Sequence, residues 1–513
     1  MVACAGTACY CNIVANRMAA KTSADFSEIM RRELFSHTLY LSAAQTDRFT
    51  VPSLESRITT DTYNVHHFIS MMQRMGVRAP ILLVGGVMIT LIMDAYLALV
   101  MIAMLPFIFF IVYFISRRGV PLYAKVQHSV DGMVRVVRED VQGIRVIKAL
   151  SKNDYENRRY DAVNRTLSND ERHAGTVMGV VNPVMTLLMN CGITAVVALS
   201  ASRVAGHQSD PETVIAFMQY FTLISMAMMS VSRIFVMYTK CAASARRIAE
   251  VINTPTEITV QEMPSAQTDA HVLFENVSFS YTGAHKHLEG ISFSLPRGGS
   301  LGVIGATGSG KSTLVKLLLR FYDVGEGRIL IDGRDLRSIP HDELSAMFGV
   351  ALQNDFLYAD TVEENIRFGR DLSFEEIKRA AEIAQADGFI TAFPDGYGHM
   401  LSQKGTNVSG GQKQRLLIAR SLAAKPEILV LDDSSSALDY KTDANLREAL
   451  STHLADTTII TVAQRVSSVK GCDLILVLED GEVIGQGRHE ELLENCPAYR
   501  EISDSQMGGA FVE

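Results

Sequence analysis

The hydrophobic positions divide the chain into two halves of different character. The N-terminal half contains long apolar runs at residues 81–93, 95–115, 176–205 and 213–238, the first of which extends back toward Val77. A helix needs roughly 20 apolar residues to cross a bilayer. The pattern therefore predicts membrane-spanning helices at these four places.

Lysine and arginine predict the orientation of these helices. Basic residues are frequent in residues 17–57 and 116–175, and Arg246 and Arg247 follow the last apolar run. Cytoplasmic loops carry such an excess, so we expect all three segments in the cytoplasm. Residues 1–16 are weakly apolar and must then enter from the outer side, although they are too short to span comfortably. We expect four full spans and a partial one, as though the chain begins within a helix.

The C-terminal half has the shorter alternation of a soluble α/β protein. Residues 272–279 and 291–295 alternate as strands, and residues 301–304 form a short apolar strand that leads into a glycine-rich loop. A segment rich in Thr, Pro and Gln precedes them and predicts a linker. The predicted organisation is a transmembrane domain with cytoplasmic helix extensions at 1–252, a linker at 253–269, a nucleotide-binding domain at 270–505 and a tail at 506–513.

Composition narrows the class of partner. The chain has 513 residues, of which 48% are hydrophobic and 20% charged, with a net charge of -8, and this length indicates more than one domain. No basic face or aromatic–basic array is present, so we expect no nucleic-acid partner. The seven cysteines show no paired zinc-type spacing. Cys4, Cys9 and Cys11 leave two interpretations open, a metal or redox site and ordinary packing in a membrane helix.

The glycine-rich loop has the sequence of a phosphate-binding site, and a strand precedes it while a helix follows it, as that motif requires. Glycines let backbone N–H groups approach phosphate oxygens, and the helix N-terminus adds its positive end. Lys311 is expected to reach the β- and γ-phosphates, and the Ser312 hydroxyl to bind Mg²⁺. The predicted nucleotide-binding residues of this loop are Gly305, Ala306, Thr307, Gly308, Ser309, Gly310, Lys311, Ser312 and Thr313.

Three residues outside the loop complete the predicted site for ATP and Mg²⁺. Asp432 ends a buried apolar strand and is expected to hold the Mg²⁺ shell. Gln353 lies between the two motifs, and Tyr281 precedes the loop at a distance where its ring could stack on adenine. The expected metal ligands are Ser312, Gln353 and Asp432. Gln353 and Tyr281 are weak signals alone, since each is more often an ordinary surface or core residue.

A further motif connects the chain to a known family. The segment that contains Ser409, Gly410, Gly411 and Gln412 closely resembles the signature of ATP-binding-cassette (ABC) proteins. The segment Ser436, Ala437, Leu438 and Asp439 resembles the D-loop of that family, and order and spacing agree from residue 272 to about residue 499. The membrane half resembles the half-transporters of the exporter branch.

This resemblance implies an architecture and a partner. It implies six membrane helices per subunit, a dimer, and ATP held between the phosphate loop of one subunit and the signature of the other. Residues 50–54 and 143–148 then resemble the two coupling turns that dock on the ATPase domains. The family also has one more helix before the position of Val2, so the first helix of the bundle is expected to be missing from this chain.

Two positions depart from the family pattern. Asp433 stands where a catalytic glutamate is usual, and Gln464 stands where a switch histidine is usual. Aspartate is one methylene shorter and holds its carboxylate too far from the attacking water, and glutamine cannot carry the charge of histidine. Because only hydrolytic positions differ, we interpret the chain as the hydrolysis-deficient half of a heterodimer. Two alternatives remain open, a homodimer with slow ATPase and an inactive truncated fragment.

The expected protein is therefore an all-α membrane bundle of exporter type fused to an α/β phosphate-loop ATPase domain. It is expected to be a multi-pass protein of the cell membrane with a cytoplasmic nucleotide-binding domain. Its expected partners are a second half-transporter, the lipid bilayer and a transported substrate that the sequence does not identify. The signature and the membrane spans exclude a soluble phosphate-loop kinase.

Overall fold

The structure, a computed structural model, describes residues 2–205, 211–255, 260–283, 285–353 and 355–507. Residues 508–513 of the tail, residues 206–210 between the last two apolar runs and residues 256–259 of the expected linker lie outside the described residues. Two compact units are present. The membrane unit comprises Met1–Tyr40 and Phe49–Pro255, and the nucleotide unit comprises Leu41–Arg48 and Thr256–Glu513.

The membrane unit is helical. Its α-helices, together with the short α2 that leads out of it, are α1 (Val2–Leu39), α2 (Ala43–Phe49), α3 (Val51–Ser56), α4 (Thr62–Met71), α5 (Val77–Met93), α6 (Ala95–Gln142), α7 (Ile144–Ala149), α8 (Asn153–Gly179), α9 (Val181–Ala205) and α10 (Pro211–Ile252). Two π-helical turns, Arg57–Asp61 and Met72–Gly76, join α3, α4 and α5 into one continuous rod. Asp94 separates α5 from α6, because its backbone is extended and its carboxylate accepts hydrogen bonds from the Tyr96 and Leu97 N–H groups at 3.0 and 3.3 Å.

The apolar runs fall on helices suited to a bilayer. Within the described part of the chain, three helices are long and apolar enough to cross a membrane, at Val51–Met93, Asn153–Ala201 and Val214–Val231. A shorter apolar helix, Ala95–Ile111, occupies the remaining predicted position. Many large apolar side chains on these helices are exposed, as is typical of a surface that faces lipid.

One of the two expected coupling turns begins earlier than the sequence suggested. Residues 50–54 lie at the start of α3, whereas the turn itself begins at Tyr40 and contains α2. Pro52 is tolerated here because it falls in the first turn of α3. Asp47, on α2, accepts a hydrogen bond from the Tyr322 hydroxyl within the nucleotide unit. The second expected turn is the short helix α7, between α6 and α8.

The nucleotide unit contains two sheets. The antiparallel sheet has the order β2-β1-β4-β5 and the larger, mainly parallel sheet has the order β10-β9-β3-β8-β7-β6. The strands are β1 (Ala270–Phe279), β2 (Leu288–Pro296), β3 (Ser300–Gly305), β4 (Glu326–Ile331), β5 (Arg334–Asp335), β6 (Phe348–Ala351), β7 (Ile428–Asp432), β8 (Thr458–Val462), β9 (Leu474–Glu479) and β10 (Glu482–Gly487).

Short helices surround these sheets. They are α11 (Lys311–Leu318), α12 (His341–Met347), α13 (Val362–Arg367), α14 (Phe374–Ile383), α15 (Asp387–Ile390), α16 (Gly410–Leu422), α17 (Tyr440–His453), α18 (Val466–Val469), α19 (His489–Asn495) and α20 (Pro497–Met507). Apolar side chains of β3, β7, β8 and α11 share one core with the antiparallel sheet.

The order of the strands positions the site. β3, β8 and β7 are parallel neighbours, so their carboxyl ends meet at one edge of the sheet. Gly305, Val462 and Asp432 end these strands. Ligands of open α/β sheets bind outside the carboxyl ends of the strands, and both the glycine-rich loop and the acidic pair therefore reach the same place.

Candidate nucleotide-binding site

The glycine-rich loop has a backbone that only glycine accommodates at two points. Gly308 and Gly310 have φ values of 89° and 100°, in the left-handed region that other residues rarely adopt. A Cβ on Gly305 would lie 2.1 Å from the Leu478 carbonyl oxygen, and one on Gly310 would lie 2.7 Å from the Leu288 side chain. The loop is therefore packed tightly between β9 and β2, and α11 begins directly after it.

Lys311 lies folded over this loop. Its Nζ donates hydrogen bonds to the Gly305 and Ala306 carbonyl oxygens at 2.8 and 2.6 Å. Burial lowers the pKa of the Lys311 ammonium, while the nearby carboxylates of Asp432 and Asp433 oppose that shift. The ammonium is thus held where a phosphate group in the loop would meet it.

The acid at the end of β7 fits a magnesium site. Asp432 is buried, and burial raises its pKa, while a hydrogen bond from the Ser312 hydroxyl and the charge of Lys311 lower it. Carboxylate, hydroxyl and amide oxygens are the ligands that Mg²⁺ prefers. Gln353 lines the same cavity, so the three predicted metal ligands are compatible with Mg²⁺ bound beside the phosphates.

The next residue, Asp433, is held by both glutamines of the site. The Nε2 atoms of Gln353 and Gln464 donate to the same carboxylate oxygen, Oδ2, at 3.0 and 3.2 Å. The Asp433 backbone is also fixed, because its N–H donates to the Val462 carbonyl oxygen at 2.8 Å and its φ is 50°. Aspartate tolerates the left-handed region better than longer side chains do. The two substituted positions, Asp433 and Gln464, are therefore in direct contact.

A cavity of about 650 Å³ joins these groups. The described residues that line it are His285, Lys286, His287, Thr307, Gly308, Gly310, Lys311, Ser312, Thr313, Gln353, Asp432, Asp433, Val462, Ala463, Gln464, Asp480 and Gly481. Most of the predicted nucleotide-binding residues are thus brought together around one space.

Tyr281 lies beside this cavity rather than among its described lining residues. Its hydroxyl donates to Thr313 Oγ1 at 3.3 Å, and its ring meets the His287 ring edge-on at 4.9 Å. The Lys316 ammonium lies 5.5 Å from the centroid of the tyrosine ring. The ring remains near the site, but protein groups already contact it.

The signature segment begins α16 and is exposed at its tip. Ser409 is the N-cap of this helix: its Oγ accepts from the Gln412 N–H at 3.3 Å, and Gln412 Oε1 accepts from the Ser409 N–H at 2.9 Å. Ser409 and Gly410 are exposed. The helix N-terminus, with its positive dipole end, is therefore presented to the outside of the unit, as anion binding requires.

The D-loop packs against this signature. A Cβ on Gly411 would lie 3.0 Å from the Ala437 carbonyl oxygen, so a larger residue there would displace the loop. Ser436 Oγ donates to the Asp433 carbonyl oxygen at 2.9 Å, and Leu438 is buried. Asp439 caps α17 by accepting from the Thr442 N–H at 2.9 Å. The loop connects the signature with Asp433 within one chain.

Comparison with known proteins supports the resemblance to ABC transporters over both halves of the chain. Residues 1–228 match the ABC transporter transmembrane region, and residues 288–436 match the ABC transporter family. An uncharacterized ABC transporter ATP-binding protein of Mycobacterium tuberculosis is 34% identical over 520 residues, which cover 100% of this chain and 89% of that protein. This chain belongs to the ABC transporter family.

Other relatives agree with the assignment. The uncharacterized ABC transporter ATP-binding protein YfiB of Bacillus subtilis is 35% identical over 492 residues, covering 96% of this chain and 86% of its own length. A solved structure of a bacterial Atm1-family ABC exporter with ATP bound matches with a TM-score of 0.83 at 25% identity, over 96% of this chain and 87% of that one. The predicted family, the exporter-type membrane helices and the fused α/β nucleotide-binding domain are confirmed.

Several residues of this ABC transporter escaped the sequence interpretation. The Gln506 side chain on α20 accepts from the Val466 N–H at 2.8 Å and donates to the Gln464 carbonyl oxygen at 2.9 Å. These two hydrogen bonds fix the backbone beside Gln464. No sequence motif marks Gln506, which lies more than 40 residues after Gln464. His285, Lys286 and His287 also line the cavity, and the cluster of basic and imidazole side chains just before β2 was the available signal.

Proposed function

We propose that this ABC exporter chain is the hydrolysis-deficient half of a heterodimer, which binds ATP and Mg²⁺ firmly and cleaves ATP slowly. The observation that supports it is the contact of Gln353 and Gln464 with one oxygen of Asp433. A general base must come within hydrogen-bond reach of the water that it activates. Here the carboxylate is short, buried and already accepting two amide donors.

The binding half of the site supports the rest of the proposal. Lys311, Ser312 and Asp432 line the cavity in the arrangement that phosphate and Mg²⁺ require. Lys311 would exchange its two carbonyl contacts for phosphate oxygens, which are stronger acceptors because they are charged. These residues of the chain would hold the phosphates of ATP and the Mg²⁺ ion firmly in place.

The exposed signature gives the chain its role toward a partner. Ser409 and the N-terminus of α16 are exposed and capped within the chain. In the proposed dimer they complete the site of a second half-transporter whose own site carries the glutamate and histidine that this chain lacks. Binding of ATP at both sites would close the dimer, and cleavage at the partner's site would reset it and drive substrate export.

Co-expression tests this division of labour. The purified chain alone should turn over ATP slowly, and the heterodimer with a glutamate- and histidine-bearing half-transporter should be active. Ser409→Arg in this chain should silence that heterodimer, because the arginine occupies the exposed helix N-terminus. Lys413→Ala, on the same helix but outside the cap, is the matched control and should leave turnover within about threefold. Rapid turnover by the lone chain would contradict the proposal.

A slowly hydrolysing homodimer is the second candidate. Asp433 lines the cavity and remains 8% exposed, so a water molecule could still reach it. Asp433→Asn separates the two functions, because it keeps the shape and removes the base. Under our proposal the residual turnover of the lone chain changes less than about threefold, whereas loss of about 100-fold, as for other catalytic bases, would favour the homodimer.

A further inference from the structure

His287 lies between the glycine-rich loop and the antiparallel sheet, immediately before β2. Its backbone N–H donates to the Phe279 carbonyl oxygen at 2.7 Å. Its own carbonyl oxygen lies 3.0 and 2.8 Å from the places where Cβ atoms on Gly310 and Gly481 would stand. The missing side chains of these two glycines allow the His287 backbone to pack directly on the phosphate loop.

One ring nitrogen of His287 has no hydrogen-bond partner in the part of the chain that the structure describes. His287 lines the nucleotide cavity, and its Nδ1 is buried and has no hydrogen-bond partner among the described residues. Buried polar atoms in folded proteins nearly always have a partner. A nucleotide in the cavity would bring hydroxyl and phosphate oxygens to this ring, and either kind can pair with an imidazole.

The site has an end for the phosphates and an end for the base, and the position of the His287 ring between them indicates which part of a nucleotide the ring would contact. The phosphate end is marked by Gly310, whose Cβ position would lie 3.0 Å from the His287 carbonyl oxygen, and by Lys311, which follows it in the chain. The base end is expected at Tyr281, whose ring meets the imidazole edge-on at 4.9 Å with an interplanar angle of 81°. His287 therefore stands between the two ends.

We propose that His287 is a nucleotide-contacting residue that recognises the sugar and α-phosphate of a bound nucleoside triphosphate. The proposal rests on the ATP binding proposed above. Because sugar and α-phosphate are common to all nucleoside triphosphates, the contact adds affinity without selecting the base. The bound nucleotide would also supply the hydrogen-bond partner that His287 Nδ1 lacks among the described residues.

Two substitutions at this position separate chemistry from packing. His287→Phe keeps a ring against Tyr281 but removes both nitrogens, and His287→Gln keeps hydrogen-bonding capacity without the ring. In equilibrium titrations of the purified full chain with Mg²⁺–ATP, Phe should weaken binding about tenfold, equivalent to ~1.4 kcal/mol. Gln should stay within about threefold of the native chain. The matched control is His341→Phe, which is exposed and lies outside the described lining of the cavity, and which should also stay within about threefold.

Repeating the titration with Mg²⁺–GTP locates the contact. An equal loss for ATP and GTP in the Phe variant supports the sugar and α-phosphate, and a loss for ATP alone would overturn that assignment in favour of the base. Unchanged binding in the Phe variant, with the native chain binding normally, would overturn the inference and leave the proposed function intact. A native chain that does not bind ATP would instead refute the proposed function.

Discussion

The two sides of the nucleotide cavity differ in how far they keep the chemistry of an ABC ATPase. On the side expected to bind ATP, the predicted phosphate and Mg²⁺ ligands Lys311, Ser312 and Asp432 line one cavity. On the side expected to serve hydrolysis, Asp433 and Gln464 are the two predicted departures from the family pattern, and they bond to each other at 3.2 Å. The two acids are consecutive residues at the end of β7, so one strand supplies both sides.

Under the proposed function, this contrast separates binding from cleavage within one fold. The binding side depends on the loop backbone and on one buried carboxylate, which the strand order fixes. The hydrolytic side depends on the reach of a side chain, and a loss of one methylene group matters there because catalytic geometry tolerates little displacement. Each of the following predictions acts on one side and should leave the other unchanged.

The largest effect is expected at the phosphate loop. Lys311→Ala removes the ammonium that faces the phosphates, so the affinity for Mg²⁺–ATP should fall by at least about 100-fold, equivalent to ~2.7 kcal/mol. Equilibrium titration with a fluorescent ATP analogue measures it. Lys316→Ala, one turn along α11, is the matched control and should cost less than about fivefold. Equal losses in the two variants would show that general charge, rather than the loop contact, determines binding.

Asp432 should affect binding and stability in opposite directions. Asp432→Asn removes a charged Mg²⁺ ligand, so Mg²⁺-dependent ATP affinity should fall about tenfold. Burial raises the pKa of Asp432 in the folded chain, so the folded state takes up a proton here at higher pH than the unfolded state. The folded chain therefore loses stability as pH rises through this range.

Thermal unfolding without nucleotide checks the sign. Asp432→Asn should raise the Tm at neutral pH, and its advantage should shrink as pH falls and the native carboxyl becomes protonated. Ser309→Ala, in the glycine-rich loop, is a control without a titrating group. A variant that is less stable than the native chain at every pH would show that the Ser312 hydrogen bond, rather than burial of charge, dominates at this position.

A smaller effect is expected at α20. Gln506→Ala removes two hydrogen bonds to the backbone beside Gln464, and since the side chain is exposed each is worth about 0.5–1 kcal/mol. Hydrogen exchange at the Val466 amide should therefore accelerate about fivefold, while exchange in β7 stays unchanged. Asp504→Ala, exposed on the same helix, is the matched control. Equal exchange in both variants would remove Gln506 from the account.

The comparison also shows what a sequence can and cannot predict. The strand, loop and helix around Lys311 follow from local patterning, and Asp433 and Gln464 stand out against a family motif. The bond between Gln464 and Asp433 joins segments 31 residues apart, and the brace from Gln506 spans 40 residues to Val466. Such contacts depend on strand order and on helix packing, which no local pattern encodes.

One further difference has a local cause. The first coupling turn was expected at residues 50–54, but Pro52 is accommodated in the first turn of α3 and the chain turns before it. Tyr281 lies beside the cavity, where Thr313, His287 and Lys316 contact it, and its stacking on adenine stays a prediction. The spacing of Tyr281 from the glycine-rich loop predicted that it lies near the site, whereas the groups that contact its ring depend on side-chain packing.

The central claim, that this site holds ATP but cleaves it slowly, is tested most directly by single-turnover hydrolysis. Excess purified chain is loaded with radiolabelled Mg²⁺–ATP, and the native chain is compared with the double variant Asp433→Glu/Gln464→His, which restores both hydrolytic groups beside an unchanged binding side. We predict that the native chain releases label at least about tenfold more slowly, equivalent to ~1.4 kcal/mol in the barrier, at equal ATP affinity. Equal rates of release from the two proteins would contradict the account.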